Sequence, residues 1–380
     1  MAVRRKVCIA VINDLVTDQR VQRVAGTLAE EGFEPVLIGR KLKRSLPVGL
    51  PWKTRRFRML FTKGPFFYFF YNLRLFFYLL TGKKPELILA NDLDTLGAAF
   101  LASRLRGVPL LYDSHEYFTE VPELVGRDSV KAIWEKIEAG IVPRLKWAMT
   151  VSQPIASAYH SRYGTTFEVV RNLPVIKEGS TGDGWRARFP GRNILLYQGA
   201  VNKGRGIELL VDAMDHLEDC QLIVAGDGDI MEQVRSRIAK NGLENRVLLT
   251  GRLKPRELHD LTCQADLGFS MEEDLGLNYR FALPNKLFDY IMAGVPVICS
   301  GLPEMRAIVE DFGLGLVYGD RDPEQLAVLI KGALGNRELR ATWKTNLETA
   351  AKQLNWESES LKLKNLLSRI REAGEERRDV

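Results

Sequence analysis

At 380 residues the chain is too long for one ordinary core and about right for two α/β domains. Hydrophobic content of 46% and charged content of 27% exclude a disordered or fibrous protein. Four scattered cysteines (Cys8, Cys220, Cys263, Cys299) with no CxxC, and only four histidines, argue against a disulfide framework or a metal site and fit a reducing cytosol.

The formal net charge is +6, unevenly spread. Residues 35–85 hold twelve Lys or Arg and no Asp or Glu, while the rest of the chain holds 42 basic and 48 acidic residues. The same segment carries 12 of the 34 aromatic residues.

The chain opens on Met1-Ala-Val-Arg-Arg-Lys and the apolar run Val7–Ile12. That run is one strand long, too short for a signal peptide, so the expectation is a first strand (Lys6–Asn13) and no export. A helix is expected from Thr17 to Glu31, with Val21, Val24, Ala25 and Leu28 on one face, and Glu34–Gly39 is the next strand. Pro65–Leu80 is helical in pattern. Its stripe Phe66, Phe69, Phe70, Leu73, Phe77 and Leu80 reads as core, and Phe67, Tyr71, Arg74 and Tyr78 as a second face. The run is too short and polar to span a bilayer. With its basic neighbours, residues 52–84 suit an anionic membrane surface, or else the helix is buried under a basic loop. No nucleic-acid-binding motif accompanies the charge. Further strands are expected at Leu87–Ala90, Leu110–Tyr112, Met149–Ser152 and Glu168–Arg171.

Between Ile176 and Arg192 the pattern breaks into Lys-Glu-Gly-Ser-Thr-Gly-Asp-Gly, a linker composition. A second series of strands follows at Asn193–Gln198, Gln221–Ala225, Arg246–Leu249, Asp266–Ser270, Val295–Cys299 and Leu314–Val317, with helices between them such as Gly206–His216, Ile230–Lys240 and Pro323–Leu334. This rhythm implies two parallel-sheet α/β domains, residues 1–175 and 190–352, with a helical tail at 353–380 that packs back across the cleft.

Chemistry is expected at the carboxyl ends of the strands. Gly199-Ala-Val-Asn-Lys203-Gly204-Arg205-Gly206 precedes a helix and suits a diphosphate, although a plain turn with solvated charges has the same composition. Ala225-Gly226-Asp-Gly-Asp229 is a second tight turn. A helix beginning near Pro284 carries Lys286 in its first turn, where the dipole disfavours a cation unless an anion is bound there, and Asp289 on the same face. In the first half, His115, Asn13-Asp14 and Asn91-Asp92 end strands, and Asp18 and Arg20 open the first helix. Asp and Asn also favour such places simply as caps.

These motifs are identified by resemblance. Lys286-Leu-Phe-Asp-Tyr-Ile-Met-Ala-Gly-Val-Pro-Val, Val224-Ala-Gly-Asp-Gly and Tyr197-Gln-Gly to Arg205-Gly, in this order, resemble the retaining GT-B glycosyltransferases of group 1 and family 4. The resemblance implies two Rossmann-like domains with a cleft between them, and a hexosyltransferase that uses a nucleotide-sugar donor without metal or other cofactor. Its acceptor would be a glycan or lipid-linked sugar in cell-surface polysaccharide or glycolipid synthesis, its outcome retention, and its location the cytoplasm at the inner face of the cell membrane. It implies catalytic roles for His115, Arg205 and Lys286, with His115 accepting a hydrogen bond from the acceptor or orienting the donor sugar. The donor would be held by Gly199, Lys203, Gly206, Gly226, Glu273 and Asp289, and the acceptor by Asn13, Asp14 and Asp92. The chain departs from the family where Ala200 replaces an arginine, Arg205 a lysine, and Phe281 the first of two glutamates. Asp289 takes the place of the second, and Glu273 is offered for the first. A nucleotide-sugar epimerase of the same fold and a non-catalytic membrane-bound sugar-nucleotide-binding protein are the competing readings.

Overall fold

A computed structural model describes residues 5–16, 18–43, 45–121, 124, 126–176, 182 and 184–376. The expected helix start at Thr17, residues 1–4 and most of the Lys177–Gly184 linker run lie outside them. Contacts divide the chain into two units, Met1–Asn172 with Glu359–Val380, and Leu173–Ser358.

The first unit is a seven-stranded sheet. Its strands are β1 (Arg5–Ala10), β2 (Phe33–Lys41), β3 (Lys53–Arg58), β4 (Leu87–Asn91), β5 (Leu110–Ser114), β6 (Trp147–Thr150) and β7 (Glu168–Val169). They lie in the order β3-β2-β1-β4-β5-β6-β7, and every pairing is parallel. Strands β4 and β5 are buried along their whole length, as expected of a parallel sheet covered on both faces. The direction of winding reverses between β1 and β4, which makes that point the ligand-binding position of a doubly wound sheet.

The structure adds β3, a strand in the basic segment for which only a membrane-facing surface or a basic loop is expected from the sequence. Four of its six residues are charged and it forms the sheet edge, where exposed cations discourage further pairing. The aromatic helix α2 (Gly64–Thr81) is present, but its faces are the reverse of those expected. Phe67, Tyr71, Leu75 and Leu79 are buried, while Phe66, Phe69, Phe70, Leu73 and Phe77 are exposed. The Tyr71 hydroxyl donates to the Val11 carbonyl at 2.6 Å, an anchor that an apolar ring could not provide. A helix apolar on every side carries little periodic signal, so tertiary partners decide which stripe faces inward. No helix among the described residues is long and apolar enough to cross a membrane.

The remaining helices of this unit are α1 (Gln19–Glu30), α3 (Leu93–Arg106), α4 (Asp128–Ile141) and α5 (Gln153–Tyr163). Asp18 caps α1 by accepting from the Val21 amide at 3.1 Å, the structural alternative for that residue.

The second unit has a six-stranded parallel sheet, ordered β10-β9-β8-β11-β12-β13. Its strands are β8 (Asn193–Gln198), β9 (Cys220–Ala225), β10 (Val247–Leu249), β11 (Leu267–Ser270), β12 (Val297–Cys299) and β13 (Gly315–Val317). Here the winding reverses between β8 and β11. Helices α6 (Ile207–Ala213), α7 (Met231–Lys240), α8 (Pro255–Thr262), α9 (Leu277–Arg280), α10 (Asn285–Met292), α11 (Pro303–Phe312), α12 (Pro323–Gly335) and α13 (Arg337–Gln353) complete the unit. The last helix, α14 (Trp356–Glu375), begins in this unit, and from Glu359 onward the chain belongs to the first. There Glu359 accepts from the Arg171 amide at 2.8 Å, and Leu363, Leu366, Leu367 and Ile370 are buried.

Candidate active-site clusters

Each unit gathers its chemistry-bearing residues at the winding reversal. In the second unit the loop after β8 and the segment after β11 meet around one carboxylate, Glu272, whose side chain is fully buried. Lys286 Nζ lies 2.7 Å from Glu272 Oε1, and Arg205 Nη1 lies 3.4 Å from the same oxygen. Ser270 Oγ donates to Glu272 Oε2 at 2.8 Å. Burial alone would raise the Glu272 carboxyl; Lys286, with Arg205 and Ser270, outweighs it and holds the group below its ordinary range.

Two cations therefore share one anion. Lys286 also sits 4.1 Å above the Tyr197 ring, and the Arg205 guanidinium 5.1 Å from the Tyr279 ring. Both are cation–π contacts that hold a partly desolvated charge in place. The Arg205 Nε is buried without a hydrogen-bond partner. Lys286 occupies the first turn of α10, and Glu272 supplies the negative charge that offsets the unfavourable dipole there.

Asp289 is reached by Gln198, whose Nε2 donates to it at 3.1 Å. Lys203 is exposed on the loop, and its carbonyl accepts from the Tyr279 hydroxyl. Glu273 does not join the cluster. It pairs with Arg321 at 2.5 Å, half exposed, and the buried carboxylate is its neighbour Glu272. Strand parity held the missed signal. Positions 270 and 272 share one side, so a carboxylate two residues past Ser270 faces the same way.

The glycines answer to protein before ligand. A Cβ on Gly226 would lie 1.8 Å from the Gly199 carbonyl oxygen, and one on Gly206 2.3 Å from that of Met271. Gly199 and Gly206 also have positive φ, at 123° and 73°. These residues let the β8, β9 and β11 loops pack backbone to backbone.

In the first unit the ends of β4 and β5 surround His115. Its Nε2 is 3.0 Å from Asn91 Oδ1 and 3.2 Å from Asp113 Oδ2, and its Nδ1 is 3.4 Å from Asp92 Oδ2. Both ring nitrogens face oxygen, so both carry protons. Burial would drive one off, but the Asp92 and Asp113 carboxylates outweigh it and push the pKa up to about 9. His115 is therefore an imidazolium at neutral pH, with no lone pair to accept a hydrogen bond. In that form His115 suits the orienting role rather than the accepting one.

Asp113 is held by Arg20 through Nη2–Oδ1 at 2.7 Å and Nε–Oδ2 at 3.0 Å, both side chains buried. Burial raises the Asp113 carboxyl, and Arg20 with His115 brings it down to about 2. Arg20, at the start of α1, is thus a buried counter-ion. The missed signal was Asp113 itself, since a carboxylate inside a buried strand requires a cation. Asp92 has φ of 58°, the sole non-glycine positive φ among the described residues, and its Oδ1 accepts from the His115 amide at 2.8 Å. A non-glycine residue held there stores strain of about 1 kcal/mol or more, a feature that clusters at functional sites. Asn13 is exposed beside it in the fold's reversal, whereas Asp14 turns away to Arg56 at 3.3 Å and to the Ser45 hydroxyl.

Comparison with known proteins gives the family and the fold. Residues 186–349 match the model for glycosyl transferases group 1, and residues 18–173 that for glycosyltransferase family 4. The chain is 23% identical over 269 residues to the alpha-D-kanosaminyltransferase of Streptomyces kanamyceticus, covering 65% of this chain and 68% of that one. The fold is shared with the sucrose-phosphate synthase from Thermosynechococcus elongatus, at a TM-score of 0.80 and 19% identity over 97% of this chain and 100% of that one. It is shared too with Anabaena HepE in complex with UDP-glucose, at a TM-score of 0.74 and 16% identity over 96% and 100%. With its two halves matched in turn by the family 4 and group 1 models and folded as two parallel sheets, the chain belongs to the glycosyltransferases of the GT-B fold, nucleotide-sugar-dependent enzymes.

Proposed function

We propose that the second unit binds the diphosphate of the sugar donor at Arg205 and Lys286, and that the first unit binds a glycan or lipid-linked acceptor beside Asp92 and His115. The single observation behind the donor assignment is the shared carboxylate. The buried Lys286 and the partly exposed Arg205 on one Glu272 oxygen leave an excess of positive charge fixed in place before any ligand arrives. Cleavage of a sugar–phosphate bond puts negative charge on the departing diphosphate. Preorganised cations stabilise that charge without reorganising, a contribution of about 3–4 kcal/mol for each well-placed donor. Lys203, exposed on the same loop, adds a mobile cation, and Gln198 orients Asp289 toward a donor hydroxyl.

His115 supplies fixed positive charge and orientation. The acceptor hydroxyl gives its proton to the departing phosphate, with Asp92 positioning the hydroxyl, and transfer proceeds with retention. Such an acceptor in cell-surface glycan or glycolipid synthesis would bring the enzyme to the inner face of the membrane, where the basic segment 52–84 meets anionic lipid. The complex of HepE with UDP-glucose makes uridine diphosphate sugars the first donors to try.

The test is binding and slow hydrolysis across UDP-, GDP- and ADP-sugars, with Arg205→Ala and Lys286→Ala as controls. One sugar nucleotide should bind and hydrolyse, and both substitutions should abolish this. If no nucleotide sugar binds at millimolar concentration, the donor assignment is wrong.

A further inference from the structure

The first unit contains an open cavity of about 1410 Å³ between α2, α3 and α4. That exceeds the roughly 300–1,000 Å³ of ordinary small-ligand pockets. Its walls are apolar along the helices, with Leu73 and Phe76 from α2, Leu101 from α3, and Trp134 and Ile137 from α4. At one end the lining becomes polar, with Asn13, Arg40, Asp92 and Asp94. The apolar slot is therefore continuous with the winding reversal where His115 and Asp92 sit.

Three further observations concern the slot itself. Asp94 is 6% exposed, and its Oδ1 has no hydrogen-bond partner. The Arg40 Nε is likewise buried and unpartnered, while its guanidinium lies 5.3 Å over the Phe67 ring. A buried carboxyl oxygen and a buried guanidinium N–H without partners each cost about 1–3 kcal/mol unless something else satisfies them. Third, Gly97 lines the slot from the middle of α3, and a Cβ added there would meet nothing within 4 Å. Glycine inside a helix costs about 1 kcal/mol relative to alanine. Crowding by the protein's own atoms therefore does not account for it. Asn72 fixes the spacing of the two helices, its Nδ2 donating to the Asp94 carbonyl at 2.7 Å.

We propose that this slot seats the hydrocarbon chain of a lipid-phosphate acceptor, with the polar head at Arg40 and Asp94 and the chain lying between α2, α3 and α4. The proposal rests on the acceptor assignment of the first unit. The cavity as a whole carries more cations (Arg40, Lys63, Arg127, Lys136, Arg144) than carboxylates (Asp92, Asp94, Glu116), and burial, with Asp92 beside it, holds the Asp94 carboxyl well above its ordinary range, so a protonated Asp94 can donate to an anionic head that Arg40 also contacts. A protein segment would leave the buried Arg40 and Asp94 groups unsatisfied unless it carried a matching anion at one point. A long apolar chain with a single anionic group matches a lining that is apolar along the helices and richer in cations than in carboxylates.

The probe is decyl phosphate, used as a monomer, titrated into the full chain by calorimetry, with decanol as the neutral control. Decyl phosphate should bind one per chain, more tightly than decanol. Gly97→Leu fills the slot and should weaken both at least tenfold. Leu101→Gln, at a position already 56% exposed and safe for folding, should weaken both as well. Arg40→Gln should weaken decyl phosphate about tenfold and leave decanol unchanged. UDP binding, a property of the second unit, should be the same in all three variants, which separates this proposal from the donor reading. Equal binding of decyl phosphate by wild type and Gly97→Leu overturns the proposal. So does binding only to anionic vesicles with no monomer bound, which would make the exposed α2 aromatics an interfacial patch instead.

Discussion

Replacing Lys286 by methionine keeps the length and apolar stem of the side chain and removes its charge. The partner left behind is Glu272, fully buried, with Arg205 at 3.4 Å and Ser270 at 2.8 Å. Breaking a buried ion pair from one side costs about 3–5 kcal/mol, and the remaining arginine places this case at the lower end, about 3 kcal/mol. The effect depends on pH. In the wild type the Glu272 carboxyl is held below its ordinary range, so the pair stabilises the fold above that range and the contribution is lost as pH falls. Without Lys286 burial dominates, and the folded-state pKa rises above the unfolded value. The folded state then holds more protons than the unfolded one, so stability falls as pH rises through that window, by up to about 1.4 kcal/mol per unit. Calorimetric melting of the full chain at pH 5 and pH 8 reads this directly. A loss of about 3 kcal/mol in a unit of this size lowers its midpoint by about 6–12 °C. The deficit should be larger at pH 8, and adding Glu272→Gln to Lys286→Met should recover part of it there. A shift below about 2 °C that is equal at both pH values would refute the buried-pair reasoning.

His115 should titrate near pH 9, visible as one histidine C2 proton resonance that disappears in His115→Gln; a value near 6.5 would remove the imidazolium argument. Because its pKa is raised on folding, the stabilisation is fully present below about 6.5 and is lost as pH rises through about 9. Asp113→Asn strips Arg20 of its bidentate partner and should cost about 3–5 kcal/mol in denaturant unfolding, while lowering the His115 titration point. Gly226→Ala places a methyl 1.8 Å from the Gly199 carbonyl and should cost about 1–3 kcal/mol, with weaker nucleotide binding because the β8 loop is displaced.

Much of this was legible in the sequence. Apolar strand runs and amphipathic helices recur at a βαβ spacing, and these signals are local, so every strand of the two sheets except β3 could be read from single windows. The positions of Gly199, Arg205, Lys286 and Asp289 after their strands followed from the same pattern. Tertiary structure decided what a window cannot contain. Pairing decided that Lys53–Arg58 is an edge strand, although it carries little apolar signal. Packing chose the Phe67–Tyr71–Leu75–Leu79 face of α2 over its equally apolar neighbours. Long-range electrostatics decided the sites. Arg20 and Asp113 lie 93 positions apart and meet at 2.7 Å, and their pairing, with Asp92, makes His115 a cation. Glu272 rather than Glu273 anchors the Lys286–Arg205 cluster because one faces Lys286 in the interior and the other faces Arg321 at the surface. A residue's type and spacing determine the element on which it sits. Its charge state and role depend on which groups the fold brings within a few ångströms of it, and burial sets the strength of those contacts.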